Sequence, residues 1–198
     1  MKTGVLVHGY NIHSSNWQEV VWWKNPDSIG KLPQAAKIIS LIKPELVIFG
    51  SGASRRDGKT EAEIMRNYLL EHFTELAVLG DFFEIDLKKL CRAISSISQL
   101  EFWSENTFQE IKYSACMFKA AGVESIISVS SPDHASRCMA NAMEIFSEDR
   151  KLSMFLGNFS TWPSQVPYGR KGEWPVVVES PHRFYPALRK IMTLPKKE

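Results

Sequence analysis

Short runs of consecutive apolar residues alternate along this chain with longer stretches in which apolar residues recur every three or four positions. The runs are TGVLV at 3–7, ELVIFG at 45–50, VESIISVS at 123–130, KLSMFLGNF at 151–159 and PVVVES at 175–180. The helical stretches fall at 31–42, 61–73, 84–98, 107–121 and 133–147. Uninterrupted apolar runs separated by amphipathic crossovers are the pattern of a parallel sheet covered on both faces. The predicted order is β-α-β-α-α-α-β-α-β-β, an α/β domain with a mainly parallel sheet flanked by helices. In such a sheet, ligands sit in the crevice beyond the strand carboxyl ends.

At 198 residues the chain reads as one domain over 1–198, with no repeat and no Gly/Ser linker. Residues 8–30 form a long connection after the first run, with a short helix predicted at Asn16 and Glu19. Trp17, Trp22 and Trp23 in it suit packing first and a stacking platform second. The segment 160–175, with three prolines, two glycines and two tryptophans, suits an ordered loop or a lid.

Charge narrows the partners. The 24 basic residues are interspersed with 22 acidic ones for a net charge of +2, so no basic stripe suits a nucleic acid, while a small anion remains open. Cys91, Cys116 and Cys138 are widely spaced and form no C-x-x-C pair, which argues against a disulfide framework or a zinc site. The opening apolar run is too short for a signal sequence, and no stretch is long enough for a transmembrane helix. A cytoplasmic protein with no membrane partner is expected.

Four polar clusters fall where this pattern puts the crevice. The first is HGYN, where Gly9 lets backbone approach a ligand and Asn11 can donate or accept hydrogen bonds. A His-Gly pair after a first strand also occurs in lipases, but Ser51 lacks the flanking spacing of a nucleophile elbow. The second is GSGASRRDGKTEAE at 50–63. Gly50 and Gly52 suit a backbone nest for an anion, and Thr60 with Glu63 makes a capping box. ASRRDGKT also fits a loose P-loop with Lys59, though Arg55, Arg56 and Asp57 are bulky for a phosphate cradle and Asp81 is the only magnesium-binding candidate.

The third cluster is SENTFQE at 104–110, in which Thr107 and Glu110 have capping-box spacing and Asn106 shares a helical face with Glu110. The fourth is SVSSPDHASRC at 128–138. Ser131 and Pro132 make a strong helix start, with the serine hydroxyl as cap. His134 and Arg137 then share one face at the positive end of that helix, a good place for an anion. His134 also suits proton transfer near neutral pH. SPHR at 180–183 repeats the helix start more weakly.

In order and content the clusters resemble the bacterial YdcF-like family, which includes SanA and ElyC. The resemblance is carried by VHGYN, by FGSG with TEAEIM, by SENTFQE and by SSPDHASR, and spans about residues 3–140. Lys31 stands where the family usually has arginine, and FFEIDLKKLCRAISSIS reads as an insertion. The resemblance implies a Rossmann-like three-layer domain with a phosphorylated or nucleotide-like ligand, S-adenosylmethionine among the candidates, and an enzyme of hydrolase or transferase type. On that reading Gly9, Gly50, Ser51 and Gly52 shape the site through backbone groups, Asn106 and Thr107 orient the ligand, and Arg137 holds its negative charge. Glu61 and His134 are the acid/base candidates. A non-catalytic binding or regulatory module and, further off, a P-loop nucleotide-binding protein are the alternatives.

Overall fold

The computed structural model describes residues 1–22, 24–25 and 28–166 of the chain. The predicted strand at 175–180 and the second Ser-Pro-His start at 180–183 lie outside these residues, as does Trp23.

Strand β1 (Thr3–Val7) leads through a long connection bearing the short helix α1 (Trp17–Trp22) to α2 (Lys31–Ile42). Then come β2 (Leu46–Gly50), α3 (Glu61–Glu71), α4 (Leu87–Ile97), β3 (Ser98–Glu101), α5 (Thr107–Ala120), β4 (Ser125–Val129), α6 (Pro132–Glu148) and β5 (Phe159–Thr161). The five strands form one sheet in the order β3-β2-β1-β4-β5, every neighbouring pair parallel. This is a Rossmann-like three-layer fold. The chain moves outward from β1 on one side and returns to start β4 on the other, so its topological switch point lies between β1 and β4.

The period of two along each strand divides the core. Val5, Val7, Val47 and Phe49 face a cluster built from α1, α2, α3 and α4, in which Leu32, Ala35, Ile39, Met65, Leu69 and Ile94 are buried. Leu6, Leu46, Ile48 and Ile126 face the opposite way, onto Ile111, Ala115 and Phe118 of α5 and Cys138, Ala142, Ile145 and Phe146 of α6. Continuing the alternation past Leu6 puts the next residue but one, His8, on the α5/α6 side, where it is fully buried.

Two expectations need correction. SQLE at 98–101 is a strand, paired with β2 at the sheet edge, although it follows α4 without a turn. KLSMFLGNF is not one strand: a 3₁₀ turn at Ser153–Phe155 buries Phe155, Gly157 turns the chain at φ 82°, and only Phe159–Thr161 joins the sheet. Of the tryptophans in the first connection, Trp17 and Trp22 are core residues, as the packing reading expects: both are buried and both pack edge-on against Tyr68.

Candidate functional site

The carboxyl ends of β1, β2 and β4 converge on His8. Its Nδ1 lies 2.7 Å from Glu110 Oε2 and its Nε2 2.8 Å from Ser128 Oγ, and all three residues are buried. The second oxygen of Glu110 accepts a hydrogen bond of 3.1 Å from the backbone N–H of Gly9. From the opposite face of the sheet Lys31, the first residue of α2, donates to the carbonyl oxygens of His8 at 2.7 Å and Gly9 at 2.6 Å. A helix residue from each side thus holds the turn that ends β1.

Electrostatics explains why these ions tolerate burial. Desolvation alone would lower the pKa of His8, but the Cys138 sulfur and the Glu110 carboxylate push it up to about 10, so the ring is an imidazolium that donates from both nitrogens. Burial would raise Glu110, yet the His8 charge and hydrogen bond, the Gly9 N–H and Lys31 hold it below the ordinary carboxylate value. Burial brings Lys31 down to about 8, with Glu110 and Glu61 opposing the fall.

Glu61, first residue of α3, is buried and accepts a short hydrogen bond from the Ser54 hydroxyl. A β-carbon on Gly9 would come within 2.5 Å of both Glu61 Oε2 and Ser51 Cβ. One on Gly50 would strike the Glu110 side chain, with Cγ at 2.8 Å. Ser51 has φ 103°, a region L residues seldom adopt. It is pinned there by its N–H on the Glu101 carbonyl and its own carbonyl accepting from Ala62, each at 3.1 Å. Backbone strain that the surroundings over-determine is a recurrent mark of functional loops.

On the other side of His8 stands the start of α6. The ring of His134 meets that of His8 edge-on, with centroids 5.3 Å apart. Its Nε2 lies 3.1 Å from the Thr107 hydroxyl, the imidazole tautomer deciding which group donates. Glu61 and His134 therefore flank two consecutive residues, His8 and Gly9. Arg137 is half-buried one turn further along α6.

The capping expectations divide. Thr60 and Glu63 form a complete capping box, the Thr60 N–H reaching Glu63 Oε2 at 2.7 Å. At α5 the cap is Asn106, whose Oδ1 accepts from the Gln109 N–H at 2.9 Å. Thr107 is inside the helix, so the proposed Thr107–Glu110 box does not form, and both side chains instead reach across to histidines. Ser131 is the cap residue of α6 by position, but its hydroxyl makes no cap hydrogen bond. Its Oγ is buried with no hydrogen-bond partner among the described residues.

Asn11, Lys59 and Asp81 lie in local turns. Asn11 is exposed and its Oδ1 accepts from the N–H of His13, so it closes its own turn. Residues 55–60 form a two-stranded ribbon in which Asp57 and Gly58 both have positive φ, a hairpin turn with Lys59 exposed. Asp81 lies in a 3₁₀ turn and pairs with Lys37 at 2.8 Å. Neither has the geometry of a phosphate-wrapping P-loop. Gly52 is placed beside the loop after β3, its N–H donating to the Ser104 carbonyl.

Sequence reasoning did not assign functional weight to His8, Lys31, Glu101, Glu110 or Ser128. Among the described residues no group of three or more His, Cys, Asp or Glu side chains is placed to hold a metal ion, and all three cysteines are free. No helix among them is long and apolar enough to cross a membrane. No family model matches the chain, and no curated protein matches it.

Proposed function

We propose that this chain binds a small anionic molecule, phosphorylated or nucleotide-like, in the crevice above β1 and β4, as its resemblance to the YdcF-like family implies. The observation that carries the reading is Ser131 Oγ: a buried hydroxyl at the mouth of a 17-residue helix that neither caps that helix nor finds another partner among the described residues. A buried hydroxyl without a partner costs about 1–3 kcal/mol, a cost a bound oxyanion would remove. His134 and Arg137 follow on the first turns, where the helix dipole favours negative charge. Glu61 and His134 flank the Gly9 turn, and as its acid and base they would move protons on either side of it in hydrolase or transferase chemistry on the bound molecule. S-adenosylmethionine is the alternative adenosine-bearing ligand.

Calorimetric titration with inorganic phosphate, pyrophosphate, adenosine monophosphate and S-adenosylmethionine tests the reading, followed by product analysis of every compound that binds. Binding of a phosphate-bearing compound that Ser131→Ala and Arg137→Ala each weaken at least about tenfold is the expected result. Absence of binding, or affinity indifferent to both substitutions, would overturn it. Binding without product on long incubation would leave a ligand-sensing module in place of an enzyme.

A further inference from the structure

We propose that Phe102 and Trp103 form a stacking platform for an aromatic base, so that the ligand of this site is a nucleotide and not a simple phosphate ester; this rests on the anion-binding reading above. The two rings pack one against the other, centroids 4.3 Å apart and tilted by 38°, so that Phe102 backs one face of the Trp103 ring system and the other face is left to receive a base. Trp103 is 61% exposed and Phe102 38% exposed, on the carboxyl-end loop of β3.

The backbone under these rings is fixed to a degree that exposed loops seldom are. Glu101, fully buried, turns both oxygens onto it: Oε1 accepts from the N–H groups of Trp103 at 2.8 Å and Ser104 at 2.9 Å, and Oε2 from the Ser104 hydroxyl at 2.6 Å. Gly52 lies so close beneath that a β-carbon there would sit 2.5 Å from the Phe102 carbonyl carbon, and its N–H donates to the Ser104 carbonyl. A carboxylate withdrawn from water to immobilise a loop whose own apolar rings stay in water stabilises no core. It does pre-organise the Trp103 ring against Phe102, which is what stacking on its outer face requires.

Position supplies the second argument. Thr107, whose hydroxyl meets His134, is four positions after Trp103, so even a fully extended chain keeps the two within about 14 Å. A molecule with its base on Trp103 and its phosphate at the start of α6 would follow the line SENT. Trp162, half-exposed past the end of β5, stands on the other side of β4, where its N–H donates to the Ser128 carbonyl. It provides the control.

The full-length chain is titrated with adenosine monophosphate and with inorganic phosphate, both by calorimetry and by tryptophan fluorescence. Trp103→Ala should weaken the nucleotide about tenfold, abolish most of the quenching and leave phosphate affinity unchanged, while Trp103→Phe keeps most of the affinity. Because Trp103 is exposed, the melting temperature should stay within a degree or two. Nucleotide affinity equal to that of phosphate in the wild type, no change in Trp103→Ala, or a loss seen only in Trp162→Ala would each overturn the platform and leave the anion site standing. Failure of both compounds to bind the wild-type chain would overturn the anion site and the platform with it.

Discussion

His8 and Glu110 are brought together from opposite ends of a 102-residue separation, Nδ1 to Oε2 at 2.7 Å, and neither is open to solvent. The pair joins β1 to α5 at the switch point of the sheet; the Gly9 N–H on Glu110 and the Ser128 hydroxyl beside His8 complete its hydrogen bonding, while Lys31 holds the His8 and Gly9 carbonyls. Breaking a buried pair by removing one charge strands the other. Glu110→Gln should cost about 3–5 kcal/mol in urea unfolding, and the double variant with His8→Gln should recover part of that loss. Equal stability of Glu110→Gln and wild type would show that the pair is not ionised.

The same pair sets a pH dependence. His8 rises from 6.5 to about 10 on folding, so its contribution is complete below pH 6.5 and is lost as pH climbs through 10. Lys31 runs the other way: it falls from 10.5 to about 8, and stability is regained between those values as the unfolded state alone keeps the proton. Stability should fall from pH 6.5 to 8 with a slope approaching about 1.4 kcal/mol per pH unit, then level off toward pH 10 where the two effects offset. Urea midpoints across pH 6–10 measure this. His8→Gln should abolish the decline, and a flat wild-type profile between pH 6.5 and 8 would contradict the buried imidazolium.

Ser131 separates a structural hydroxyl from one held for a ligand. Where a serine caps a helix, its removal costs about 0.5–2 kcal/mol. Here no cap bond exists and the Oγ is buried without a partner among the described residues, so Ser131→Ala should change stability by less than about 0.5 kcal/mol or raise it. Thr60→Ala, which breaks a complete capping box, should cost about 1 kcal/mol under the same conditions. Were Ser131→Ala the more damaging of the two, the hydroxyl would be capping α6 in solution.

The parts of the fold that were legible from sequence are those with strong local periodicity. Lys31–Ile42, predicted at 31–42, shows this, as does α6, whose Ala135, Cys138, Ala142 and Ile145 recur at three- and four-residue spacing. Ser98–Glu101 escaped because an edge strand of four residues with a polar majority carries no run of its own, and Ile97 passes directly into it from α4. Three of the four clusters follow strands read from the sequence and the third follows the missed strand Ser98–Glu101, yet the groups that tie them together were not foreseen. Glu110 reads locally as a capping residue and Lys31 as a helix start, and only the fold reveals that each reaches the end of β1.

Gly52 and Gly58 differ in why they are glycine. At Gly52, a β-carbon would meet backbone, the Phe102 carbonyl carbon at 2.5 Å and the Trp103 nitrogen at 3.2 Å, so the loop must move. At Gly58 the space is open and only φ 77° resists a side chain. Gly52→Ala should cost about 3 kcal/mol and shift the Trp103 indole resonance, whereas Gly58→Ala should cost about 1 kcal/mol and leave that resonance alone.

Ser51 permits the opposite experiment, a substitution that stabilises by relieving strain. Its φ of 103° costs about 1–3 kcal/mol in any residue with a β-carbon, and the hydrogen bonds to Glu101 and from Ala62 prevent relaxation. Glycine removes that strain but enlarges the unfolded ensemble, a loss of about 0.5–1 kcal/mol. Ser51→Gly should therefore be about 1 kcal/mol more stable than wild type, and Ser51→Ala, which keeps the strain, should not. If the serine is strained so that its backbone can face the crevice, the glycine variant gains stability while losing ligand affinity, because the freed loop is no longer held in one conformation. Gain in stability with unchanged affinity would assign the strain to chain folding alone, and a Ser51→Gly variant less stable than wild type would show that the turn is not strained in solution.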